Sequence, residues 1–219
     1  MQNNRSLPRK RLGILVFDEI EVLDFSGPYE VFSIVRLDEE TRRSEPSPFD
    51  ILLVSQFDKP VVATGGLKVL PDVTFENCPN LDVLIVPGGL GTRWEMHNEK
   101  LLNFLKQQAE GVELLASVCT GALLLASAGL LYGLTATTHW HSLQLLQELF
   151  PDIDVERHAR VVKDGKVMTS AGISAGIDLS LEILAGYFGE EVARFTASYM
   201  DYPFQGAEVQ QRVFSKAGE

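Results

Sequence analysis

Cys119 is the residue in this chain whose type and setting best fit chemistry. It ends the apolar run Leu114-Leu115-Ala116-Ser117-Val118 and precedes the small residues Thr120-Gly121-Ala122. An apolar run of that length reads as a buried strand, and small residues after it let a helix cross close to the strand end. The spacing therefore predicts a sharp turn at Cys119, with the thiol at a helix N-terminus. Unpaired N–H groups and the positive end of the helix dipole favour the thiolate there, which is the nucleophilic form. The alternative is a buried structural cysteine, because free Cys packs as a small hydrophobe.

A thiol that attacks a small electrophile needs activation, stabilisation of the charge that develops, and a group that moves protons or holds water. Asp24 is the one acidic residue in the apolar stretch Val22-Leu23-Asp24-Phe25-Ser26-Gly27-Pro28. It is the candidate acid–base group, with capping of the next helix as its other role. Gly88 and Gly89, after an apolar strand, are candidate backbone donors toward developing negative charge; a tight turn is the alternative. Thr120 is the candidate to hold Asp24 or a water through its hydroxyl, or else an ordinary first-turn residue. Ile173 and His139 are expected to line the same pocket. His139 and His141 lie two residues apart and so point away from each other, and no paired-His or paired-Cys motif occurs, so no metal site is expected. His97 and His158 read as surface residues, and Cys78 precedes a strand at the end of the sheet opposite Cys119.

These residues need a frame. The 219 residues suffice for one large domain with a full core. The net charge of −11 argues against nucleic acid or an anionic membrane as partner and leaves a small-molecule substrate open. Two cysteines are too few for a disulfide framework, which points to a reducing cytoplasm. No apolar run approaches the roughly 20 residues of a membrane-spanning helix. The expected organisation is a disordered leader over 1–10, a single domain over 11–205 and a polar tail over 206–219.

Apolar runs at 12–17, 49–55, 81–86 and 114–118 predict strands covered on both faces. Residues 22–28 read as a loop, with Ser26 as the cap and Pro28 in the first turn of a helix running to about 37. The stretch 61–70 reads as a hairpin around Gly65-Gly66, and 97–110 as an amphipathic helix with Leu101, Leu102 and Leu105 inward. A short strand at 135–138, a helix at 141–150, and strands at 155–162 and 166–169 joined at Lys163-Asp164-Gly165 follow. Two helices, 174–188 and 190–199, meet at Gly189. Strands alternating with helices imply an α/β three-layer sandwich on a mostly parallel sheet, with ligands at the carboxyl ends of the strands.

Five segments, in order, resemble one superfamily: Asp24-Phe25-Ser26-Gly27-Pro28, Pro87-Gly88-Gly89, Ser117-Val118-Cys119-Thr120-Gly121, Ala136-Thr137-Thr138-His139-Trp140, and Ala171-Gly172-Ile173-Ser174-Ala175-Gly176-Ile177-Asp178. The chain resembles the ThiJ/PfpI superfamily, of class I glutamine amidotransferase-like fold, and within it the isonitrile hydratase branch. The resemblance implies a flavodoxin-like homodimer with its cysteine on a strained elbow, no cofactor, and a functional set falling on Asp24, Cys119 and Thr120. It implies hydration of an isocyanide to an N-substituted formamide through a thioimidate. Protease and amidotransferase relatives carry histidine directly after the cysteine, where this chain has Thr120. Chaperone and glyoxalase-like relatives usually carry glutamate where this chain has Asp24. Sensor domains of AraC-type regulators share the fold, so a small-molecule or redox sensor is the rival expectation, beside a different cofactor-free cysteine enzyme. With the sequence ending at Glu219, no helix-turn-helix pair is expected after the domain.

Overall fold

The computed structural model describes residues 9–38, 40 and 42–206. The tail expected at 206–219 lies outside them save for Gly206. So does most of the expected leader, and Lys10 already belongs to a strand.

Among the described residues, seven strands form one sheet in the order β5 (Val73–Thr74), β2 (Phe49–Ser55), β1 (Lys10–Leu15), β6 (Val83–Val86), β7 (Leu114–Val118), β11 (Val167–Ser170), β10 (Val161–Asp164). All neighbours are parallel except β10 against β11. The central β6 and β7 are buried at every position, whereas β10, at the edge, is half-exposed. Continuous apolar runs form the strands covered on both faces, and mixed ones the edge. Helices α1 (Val22–Ile34), α6 (Ala175–Phe188) and α7 (Glu190–Tyr199) pack together on one face; α2 (Thr92–Glu95), α3 (Glu99–Gly111) and α4 (Gly121–Ser127) take the other. β3 (Val61–Val62) and β4 (Lys68–Val69) make the expected separate hairpin. β8 (Thr135–Ala136) pairs with β9 (Asp154–Val155), with α5 (Leu143–Leu149) between them.

Because β1 sits between β2 and β6, the chain leaves it in one direction and later returns on its other side. That reversal opens a crevice at the carboxyl ends of β1 and β6. The register aligns the neighbouring ends: Val86 pairs with Ser117, and Val118 with Ser170. Gly88, Cys119 and the 171–174 turn therefore emerge at one edge.

Several local expectations change. Residues 22–28 are not a loop: α1 begins at Val22, Asp24 lies in its first turn, and Pro28 is inside the helix. Ser26 is no cap; Glu21 takes that position, its N–H donating to the Gly88 carbonyl at 2.9 Å. The helix is buried on several sides, so its sequence lacks the polar stripe that marks an amphipathic helix. Pro28 removes only the N–H that would bond the Asp24 carbonyl, and Gly27 before it relieves the steric conflict that proline imposes on its predecessor. The strand expected at 155–162 is two, β9 and β10, interrupted by residues 156–160. On α3, Phe104 and Ala109 join Leu101 and Leu105 inside, while Leu102 is only half-buried.

Candidate active site

Cys119 has φ 58, a left-handed conformation that a side chain adopts only at an energetic cost. Its surroundings fix it there. The Cys119 N–H donates to the carbonyls of Ser170 at 3.2 Å and Ala171 at 3.1 Å, and its own carbonyl accepts the Thr138 hydroxyl at 2.7 Å. Gly121 completes the elbow, since a Cβ on it would sit 1.9 Å from the Val86 carbonyl oxygen. Ile173, after β11, has φ 56, and Glu19, after β1, has φ 60. Three of the four left-handed non-glycine residues described thus lie at the carboxyl ends of strands of the same sheet.

Asp24 is fully buried beside this elbow. Its Oδ2 accepts the Gly88 N–H at 3.0 Å, while Oδ1 is buried without a hydrogen-bond partner. Burial raises the carboxyl to about 7; the Gly88 N–H and the Cys119 thiol oppose that rise, the Glu21 charge adds to it, and the Ile173 N–H pulls weakly the other way. The thiol is itself pushed up, first by burial and then by the Asp24 charge, against the N–H and hydroxyl of Thr120. The thiolate expected from the helix end is therefore not the resting form. The sulfur of a residue only 6% exposed loses more hydration than the first turn of a seven-residue helix returns. The arrangement is a protonated thiol facing a carboxyl that titrates near neutrality.

The other expected residues fall close by, with two corrections. Gly88 and Gly89 are not free donors: the Gly88 N–H is committed to Asp24, and the Gly89 N–H donates to Thr120 Oγ1 at 3.0 Å. Each amide has one hydrogen, so neither is left for a developing anion. Their part is to hold the carboxyl and the hydroxyl, and a Cβ on Gly88 would lie 2.5 Å from the Thr120 nitrogen. The Thr120 hydroxyl meets Gly89, its oxygen 3.2 Å from the Gly89 carbonyl, and the Cys119 sulfur, not Asp24. Ile173 is 41% exposed in the turn after β11, and the half-buried His139 packs its ring on Gly172. His97 and His158 are exposed, and Cys78 is half-buried ahead of β6 at the far end of the sheet, its thiol raised to about 11 by burial. Both cysteines are free. Among the described residues no group of three or more His, Cys, Asp or Glu is placed to hold a metal ion, and no helix is long and apolar enough to cross a membrane.

Sequence reasoning gave no role to Thr138 or Arg160. Thr138 stands in a motif already singled out, but its bond to the Cys119 carbonyl joins residues 19 apart. Arg160 lies in a stretch read as strand, which concealed its side chain's reach.

Comparison with known proteins bears on this geometry. The chain is 39% identical over 194 residues to the isonitrile hydratase of Pseudomonas putida, covering 88% of this chain and 78% of that one. It is 35% identical over 133 residues to the HTH-type transcriptional regulator GbdR of Pseudomonas aeruginosa, covering 61% of this chain and about a third, 36%, of the regulator. Among solved structures, a ThiJ/PfpI family protein from Pseudomonas syringae superposes with a TM-score of 0.78 at 30% identity, covering 94% of this chain and 81% of that one. Residues 10–186 match the DJ-1/PfpI family, and together with the doubly wound sheet and its cysteine elbow this places the chain in that family.

Proposed function

We propose that the protein is a cysteine-dependent isonitrile hydratase, converting R–NC and water to R–NH–CHO. The observation that carries the reading is the buried Asp24 carboxyl, titrating near 7, set against the Cys119 thiol, in a chain 39% identical to an isonitrile hydratase. A carboxylate of that basicity takes the thiol proton as sulfur attacks the terminal carbon of the isonitrile, and returns it to that carbon. The product is the thioimidate R–N=CH–S–Cys119. Water then adds to the same carbon, giving one proton through Asp24 to the nitrogen. The C–S bond breaks, the hydroxyl proton returns to sulfur, and the formamide leaves. Thr120, with its N–H and hydroxyl facing the sulfur, stabilises the thiolate as it forms and leaves. Ile173 and His139 border the substrate. The steps need no cofactor. A homodimer and a reducing, cytoplasmic setting belong to the same proposal.

The test is formamide production from simple alkyl and aryl isocyanides by wild type and Cys119→Ala. Turnover is expected in wild type and its loss in a folded mutant. Equal turnover in both sinks the nucleophile assignment. The similarity to GbdR supports a second reading, a small-molecule or redox sensor. Reactive Cys119 without turnover of any isocyanide favours it.

A further inference from the structure

We propose that Arg160 is a positioning residue of the cysteine site, clamping both ends of the strained 171–174 turn so that the Ala171 carbonyl keeps its hold on the backbone of the Cys119 elbow. The inference rests on reading Cys119 and Asp24 as a reacting pair, but not on which electrophile they attack.

The Arg160 carbonyl accepts the Ala171 N–H at 2.8 Å, which fixes the start of the turn. Its guanidinium pairs with Asp178 in the first turn of α6 and donates to Ser174 Oγ at 2.9 Å, which fixes the end. Asp178 is 5% exposed, and its second oxygen accepts the Tyr202 hydroxyl at 3.0 Å. Truncating one partner of a carboxylate this deeply buried leaves a buried charge less well compensated. Arg160 thus reaches the turn from both sides, and Tyr202 braces the far side of the clamp.

Between these anchors lies Ile173, a β-branched residue at φ 56. Such a conformation persists only where neighbours over-determine it. The Ala171 carbonyl also accepts the Cys119 N–H, so the same turn holds the elbow's backbone. Loosening the clamp therefore disturbs the Cys119 elbow.

The test follows alkylation of Cys119 by iodoacetamide across pH in a Cys78→Ser background, for wild type, Arg160→Met, Arg160→Lys and Tyr202→Phe. Freeing the turn loosens the Ala171 carbonyl that holds the Cys119 N–H at 3.1 Å. Arg160→Met should therefore slow alkylation of Cys119 at neutral pH roughly tenfold, as the left-handed elbow loses the neighbours that over-determine it. Arg160→Lys, which keeps the charge but not the fork, should fall between, and Tyr202→Phe should slow it by less. A folded Arg160→Met with the wild-type rate overturns the proposal. Should Arg160→Met not fold, wild-type rates in both other variants overturn it. Isocyanide turnover measured in parallel keeps the questions apart, since its absence from wild type counts against the hydratase and leaves the alkylation profile to decide this one.

Discussion

At the scale of single residues the account turns on Asp24. Its carboxyl is raised to about 7 by burial. As the thiol's base it must be ionised, so kcat/KM should rise with pH through about 7 and level above it. Asp24→Asn should lower activity by about 10² to 10⁴-fold and abolish that inflection; a rate close to wild type would return Asp24 to a structural role. The same shift has a cost in stability. From about pH 4 to about 7 the unfolded carboxyl is ionised while the folded one keeps its proton, so the contribution of Asp24 to stability falls across that window. The difference is on the order of 4 kcal/mol once pH exceeds 7. Asp24→Asn should therefore be more stable than wild type at pH 8 and lose most of that advantage at pH 4, as urea titrations at the two pH values would show. The sequence exposes Asp24 as the lone acid among apolar residues, and Cys119 at the end of a buried run. Their protonation is not legible there, because it depends on how far each is buried and on the distance between them.

At the scale of elements, glycines set how closely the pieces approach. Gly88 brings the turn after β6 against Thr120 and Asp24, so Gly88→Ala should abolish activity by displacing both. Gly186, on α6 with open space around it, is the control: Gly186→Ala should add about 0.5–1 kcal/mol of stability and leave activity intact. Parity between the two variants in the isocyanide assay would contradict the packing argument. Strand runs such as 114–118 were legible because a covered parallel strand is apolar throughout. The start of α1 was not, because Pro28 ordinarily marks a first turn and here lies seven residues in. The interruption at 156–160 was also hidden. Its purpose is tertiary, bringing Arg160 to Asp178 on a helix 18 residues later.

At the scale of the whole molecule, alternation of strands and helices was enough to read a doubly wound sheet, and the register of β6, β7 and β11 explains why the motifs at 87–89, 117–121 and 171–178 meet at one edge. The proposed partner is a small neutral electrophile, with which the net charge of −11 is compatible. The proposed homodimer predicts twice the chain's mass by light scattering; a monomer retaining full activity would show that each chain completes its own site. The central claim is covalent: sulfur of Cys119 bonds to the isonitrile carbon before water does. The measurement is rapid-quench mass spectrometry of the protein turning over an isocyanide. The expected result is one isonitrile mass added to the peptide containing Cys119, appearing and decaying as formamide forms. Formamide released at full rate with no such adduct at any quench time would contradict the account.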